Sequence, residues 1–158
     1  MTKPKLWINF YKPNFKPDFE PFFFDKAELA WSKTIEENSS LILDEVKSFI
    51  KNNSKGFKPY LFSKPDDFSN PEWSTLSLYT WGYSYKTNCE LLPKTVALLE
   101  TIPGFSSVSI SRLKPGAALP LHRGDTNAIV RCHFGVSIPG QLPKCGFECG
   151  GIQKDWIE

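Results

Sequence analysis

Two histidines, His122 and His133, are the whole imidazole complement of this chain, and both lie in its most regularly patterned segment. Imidazole is the commonest metal ligand and the side chain that exchanges protons near neutral pH, so chemistry is sought there first. Arg131 stands two positions before His133. If Thr126 to Ile138 is a strand, alternation puts Arg131 and His133 on one face and Val130, Cys132, Phe134 and Val136 on the other. That polar face is either solvated, over an apolar face packed on the core, or it lines the inside of a barrel. In a barrel a guanidinium is tolerated only against a carboxylate or phosphate. No acidic residue on the strand offers itself, so the second reading calls for a small dicarboxylate ligand. His122 follows Pro120-Leu121 and precedes Arg123-Gly124. At such a strand end an imidazole reaches a metal without a crowded neighbour, although a lone histidine is also commonly structural.

Cys89, Cys132, Cys145 and Cys149 contain no CxxC pair, and with no secretion signal in view they are expected to be reduced thiols. Cys145 and Cys149 together with a histidine form an alternative zinc ligand set, of weakly specific spacing.

The elements that must position these residues are read from periodicity. Asp25 is suited to cap a helix, with Glu28 reaching back as a capping box and Phe24 and Leu29 as the hydrophobic staple. Trp31, Ile35, Ile42, Val46 and Phe49 then form one apolar stripe, predicting a single amphipathic helix that ends near Asn52 to Gly56. Phe22, Phe23 and Phe24 are read as packing residues. After a polar loop over 63–75, Leu76 to Trp81 reads as a strand, and a shorter helix starts at Pro93 and stops at Pro103-Gly104. From Ser107 the period becomes two, with Val108 and Ile110 alternating with Ser109 and Ser111 before a turn at Lys114-Pro115-Gly116. A further strand is expected around Phe147. Helices followed by closely spaced strands predict an α+β, mainly β fold, a helix-backed sandwich or jelly roll.

Composition narrows the function classes. With 158 residues, one domain is expected, and 13 Pro favour short strands over a helical bundle. Net charge is +2 from 19 basic and 17 acidic residues, so neither nucleic acid nor an anionic membrane is an expected partner. The opening MTKPKLWINFYKPNFKPDF is broken by Pro and Lys every few residues, which predicts neither signal peptide nor membrane span and points to the cytoplasm.

The stretch from Ser111 through Pro115-Gly116, His122-Arg-Gly124 and Thr126-Asn127 to Arg131-Cys-His133 resembles the central signature of the aspartyl/asparaginyl β-hydroxylase family. Phe24-Asp25 to Asn38 resembles that family's entry helix, and Leu92-Pro-Lys-Thr to Ile102-Pro-Gly104 its Pro-Thr helix. The resemblance covers most of residues 20 to 157. It implies a double-stranded β-helix (cupin-like jelly roll) backed by N-terminal helices, binding Fe(II) and 2-oxoglutarate, with O2 as cosubstrate. Within one oxygenase-like domain, residues 1–24 would be an extended arm, 25–104 a helical support and 105–158 the β-helix core. His122 is implied as an iron ligand. Gly124 stands where related iron oxygenases carry a carboxylate, and Asp125 falls one residue too late to replace it. Arg131 and His133 are implied to hold the 2-oxoglutarate carboxylate beside the metal, and Ser111 to contact its far carboxylate. Leu113, on the Ser111 face, would line the pocket, and Asn127 would brace the loop.

In the family a second iron-binding His and a later Arg lie beyond a Trp-x-x-Gly stretch, whereas this sequence ends at Lys154-Asp-Trp-Ile-Glu158. The expectation is therefore a C-terminally truncated domain that lacks its last strands. The expected substrate is a peptide Asp or Asn, or a small or lipid-linked molecule. Two other readings stay open. One is a non-catalytic cupin-like domain that keeps the carboxylate pocket, and the other is the zinc domain.

Overall fold

The computed structural model describes residues 21–53, 56–60, 72–119, 122, 126, 128–141 and 143–157. Residues 1–20 of the extended arm expected over 1–24, most of the loop expected over 63–75, and the motif residues Gly124, Asp125 and Asn127 lie outside these residues. In chain order the elements are a 3-10 turn (Lys26–Glu28), α1 (Ala30–Glu37), α2 (Ser39–Asn52), β1 (Lys58–Pro59), β2 (Trp73–Thr80), β3 (Tyr83–Ser84), α3 (Lys86–Cys89), α4 (Pro93–Leu99), β4 (Val108–Leu113), β5 (Phe147–Cys149) and β6 (Ile152–Lys154). The fold is α+β with antiparallel sheets. No helix among the described residues is long and apolar enough to cross a membrane. The chain divides into two compact units, one within 38–123 and one within 21–37 and 124–158.

In the first unit, β2 pairs antiparallel with β1, β3 and β4. Ser74, Thr75 and Leu76 are all buried, as are Leu78 and Tyr79. Consecutive burial of this kind marks a strand covered on both faces. The register slips between Ser77 and Tyr79, which lets neighbouring Leu78 and Tyr79 both turn inward. β2 begins inside the expected loop and ends at Thr80, because Trp81 leaves the ladder with φ 48°. That left-handed backbone is costly for a bulky side chain. It is held by the Trp81 amide donating to Ser107 Oγ (2.9 Å) and the Gly82 amide donating to the Ser106 carbonyl (2.8 Å).

Ile42, Val46 and Phe49 recur at spacings of four and three, so α2 carries them on one buried face. Phe49 meets Phe57 at 6.1 Å between ring centroids, and a Cβ on Gly56 would stand 3.1 Å from the Phe49 ring. α4 begins at Pro93 as expected, and Glu45 of α2 accepts hydrogen bonds from the Lys94 and Thr95 amides at 3.0 and 2.6 Å. Beyond α4, Tyr79 donates its hydroxyl to Glu100 Oε1 at 2.6 Å. Burial first, and then this bond, push the Tyr79 pKa up to about 12.

The single helix expected from Asp25 to Asn52 is instead three pieces. Asp25 does cap, accepting from the Ala27 amide at 2.9 Å, but it starts only the 3-10 turn. Leu29, at φ −108° and ψ 88°, then leaves helical space. Asn38, at φ −111° and ψ 17°, makes the second break, at a residue whose side chain competes with helical backbone bonding. The stripe is thus split, with Trp31 and Ile35 on α1 in the second unit and Ile42, Val46 and Phe49 on α2 in the first. Periodicity survives such breaks because it counts residues, not hydrogen bonds.

In the second unit, β5 and β6 form a hairpin with Cys149 paired to Ile152. Its two connecting residues, Gly150 and Gly151, have φ of +60° and +80°, the left-handed pair a two-residue type I′ turn requires. Phe23 packs on Phe147 at 5.7 Å, as a packing residue should, whereas Phe22 is half exposed with its ring over Gly150. The expected strand over Thr126 to Ile138 is absent, since its described residues are irregular and pair with no ladder. Val130, Arg131, Cys132 and His133 are exposed in succession, so the alternating burial of a half-covered strand is missing too.

Candidate functional site

The residues singled out by type fall in both units. Ser111 and Leu113 lie on β4 and His122 follows it, all in the first unit, while Arg131 and His133 belong to the second.

On β4 the ladder fixes which side chains share a face. Ser111 pairs with Thr75 and Leu113 with Trp73, in unbroken register, so these four project together. Ser74, Leu76, Ile110 and Arg112 take the opposite face. There Arg112 donates to Ser74 Oγ at 3.3 Å and lies over the Phe57 ring at 4.5 Å. Ser111 is exposed and Leu113 half-buried. Trp73, stacked on Tyr60 at 3.6 Å, has a buried Nε1–H with no hydrogen-bond partner among the described residues. An orphaned buried donor costs on the order of 1 to 3 kcal/mol, so an acceptor arriving on this face would relieve it. Sequence reasoning missed Trp73, whose only signal was a large aromatic opposite Leu113 once the register was known. After β4, the Ala117 amide closes onto the Lys114 carbonyl at 3.0 Å, with Gly116 at φ +79°. Pro-Gly at the centre of the turn is the type II signature. His122 follows on exposed irregular chain.

In the second unit His133 sits against the β5–β6 hairpin. Its ring centroid is 5.1 Å from that of Phe147 and 6.1 Å from that of Trp156, and Phe147 and Trp156 stack at 5.5 Å. Trp156 Nε1 donates to His133 Nδ1 at 3.1 Å. Although the residue is exposed as a whole, partial burial of the ring and then the charge of Arg131 hold its pKa below the usual value. Both causes favour the neutral imidazole. Arg131 is exposed and has no ion-pair partner among the described residues. Chemically this pair is a set of N–H donors suited to a carboxylate. Close by, a Cβ on Gly135 would stand 2.3 Å from the Ile157 carbonyl oxygen, so only glycine lets these two backbone segments approach.

Cys132, although exposed, has its thiol pKa pushed up by partial burial of the sulfur, the opposite of what a nucleophilic cysteine needs. All four cysteines are free. No group of three or more His, Cys, Asp or Glu among the described residues is arranged to hold a metal ion, the alternative zinc set of Cys145, Cys149 and His133 included.

The family model for aspartyl/asparaginyl beta-hydroxylase matches residues 36–158. The chain belongs to this family. It is 33% identical over 152 residues to aspartate beta-hydroxylase domain-containing protein 2 of Xenopus tropicalis, covering 91% of this chain and 40% of that protein. With the ornithine lipid ester-linked acyl 2-hydroxylase of Rhizobium tropici it shares 28% identity over 140 residues, 87% of this chain and 50% of the relative. With the human aspartyl/asparaginyl beta-hydroxylase it shares 31% over 133 residues, 80% of this chain and 17% of the relative. The chain thus spans half or less of the length of these curated relatives.

Proposed function

We propose that residues 1–158 form a single hydroxylase domain that uses Fe(II), 2-oxoglutarate and O2 and is built on a double-stranded β-helix. The observation that carries the reading is the donor pair of Arg131 and His133, unpaired by any acid among the described residues, in a family of hydroxylases. Bound iron supplies the oxidising centre at which O2 and 2-oxoglutarate are consumed and an unactivated C–H bond is hydroxylated.

The chain's own residues bind and orient. Arg131 and the Nε2–H of His133 take one carboxylate of 2-oxoglutarate, and charge-assisted donors of this kind fix its direction as well as its affinity. The Ser111 hydroxyl takes the far carboxylate, with Leu113 lining the same face. The Trp73 Nε1–H on that face, without a hydrogen-bond partner among the described residues, supports the assignment, since a carboxylate oxygen would satisfy it. His122 is assigned one iron position. A single imidazole is a partial ligand set, and no other described residue is assigned to the metal. The substrate we assign is a peptide Asp or Asn, or a small or lipid-linked molecule, in keeping with what the relatives are named for. The near-balanced charge of +2 supports a protein with neither nucleic acid nor membrane as partner, and the compartment we assign is the cytoplasm.

A second reading is a binding domain that retains the carboxylate site without turnover. It is favoured by the absence, among the described residues, of any three-ligand metal group.

Arg131→Ala tests the anion site. Calorimetric titration with 2-oxoglutarate is expected to show affinity weakened by roughly 2 to 5 kcal/mol if the bound carboxylate covers the exposed guanidinium and buries the pair. A change below about 0.5 kcal/mol would place Arg131 on a solvated face.

A further inference from the structure

Trp156 makes a contact with His133 that the motif does not require. An indole Nε1 carries a proton and no available lone pair, so it can only donate. Its partner at 3.1 Å is His133 Nδ1, which must therefore present a lone pair. A neutral imidazole has one ring proton, and with Nδ1 occupied as acceptor that proton is on Nε2. The other tautomer would set two N–H groups head to head. The indole is itself held in place by Phe147, stacked on it at 5.5 Å and 20°, and Phe147 is backed in turn by Phe23 at 5.7 Å.

We propose that Trp156 is a positioning residue that locks His133 as the Nε2–H tautomer, making it a donor to an anionic ligand and removing it as a metal ligand. Metal coordination needs a ring lone pair. In this arrangement Nδ1 has spent its lone pair on Trp156, and Nε2 has a proton in its place. Burial of the ring and the nearby Arg131 charge act in the same direction, since both favour the neutral imidazole. The tautomer assignment stands on the contact alone, whereas the ligand half rests on the reading of Arg131 and His133 as the 2-oxoglutarate carboxylate site.

The test is nitrogen-15 NMR of the full chain, in which the two histidines give few ring signals to assign. His133 is expected to show the pure Nε2–H pattern and a scalar coupling from its Nδ1 to Trp156 Nε1 across the hydrogen bond. A tautomer mixture, or an Nδ1–H form, overturns the proposal. In Trp156→Phe, which keeps an aromatic ring and loses the N–H, the coupling should vanish, the tautomers should mix and the His133 pKa should rise toward its ordinary value. If that variant does not fold, the wild-type spectrum decides. The ligand half is read by 2-oxoglutarate titration of two substitutions. His133→Gln puts an amide donor near the Nε2 position and should bind within a few-fold of wild type, while His133→Asn, with its amide near Nδ1, should lose about tenfold or more. Equal binding by both overturns the ligand half and the cosubstrate assignment, and leaves the tautomer to be judged by the spectrum.

Discussion

At the scale of single residues, what matters at His133 is which ring nitrogen carries the proton, and a neighbour far along the chain decides it. The same surroundings set a pH dependence. With its folded pKa held below the usual value by burial and Arg131, His133 takes up a proton more readily in the unfolded chain. Its neutral form thus stabilises the fold above the ordinary histidine range, and that contribution is lost as pH falls through the depressed folded value. Urea melts at neutral and mildly acidic pH should show wild type losing more stability on acidification than His133→Gln. Equal losses would mean His133 is not held neutral. The types and order of Arg131 and His133 were legible in the sequence, as was the capping role of Asp25. The Trp156 donor was not, because nothing in spacing reports that residues 133 and 156 approach to 3.1 Å. The orphaned N–H of Trp73 was hidden likewise until the β2–β4 register placed it beside Leu113.

At the scale of elements, α4 depends on a group from α2. Pro93 begins the helix but leaves later first-turn amides to be satisfied, and Glu45 satisfies two of them. Glu45→Ala is expected to cost about 1 to 2 kcal/mol, as loss of a good cap does, by chemical denaturation. A cost near zero would mean that water replaces the carboxylate. The hairpin β5–β6 depends on glycine in a different way. At Gly150 a Cβ would both occupy φ +60° and stand 2.3 Å from the Phe22 ring, so Gly150→Ala should destabilise by about 1 kcal/mol or more. A proteolysis rate for this unit no faster than wild type would contradict that. Strand β4, helix α4 and the Pro115-Gly116 turn were all readable from period and turn chemistry, because each is specified by residues adjacent in sequence. The strand expected over Thr126 to Ile138 was misread because alternating residue types propose a strand, while only a pairing partner makes one. The long N-terminal helix was misread because an apolar stripe continues in phase across the breaks at Leu29 and Asn38.

At the scale of the whole molecule, membership of the aspartyl/asparaginyl β-hydroxylase family rests on a match over residues 36–158, and the mixed α+β class agrees with composition and pattern. Fold class was legible because Pro density, two helical stretches and a switch to period two all bear on it. The division into two compact units was not, since no change in composition marks residues 37 and 124. Under the function proposed above, the chain binds 2-oxoglutarate together with a metal held by His122. An anaerobic titration with 2-oxoglutarate, with and without Mn(II) as a redox-inert substitute for Fe(II), tests it on wild type and His122→Ala side by side. The predicted result is binding that Mn(II) strengthens in wild type and leaves unchanged in His122→Ala. Binding indifferent to Mn(II) in both proteins, or no binding to either, would contradict it.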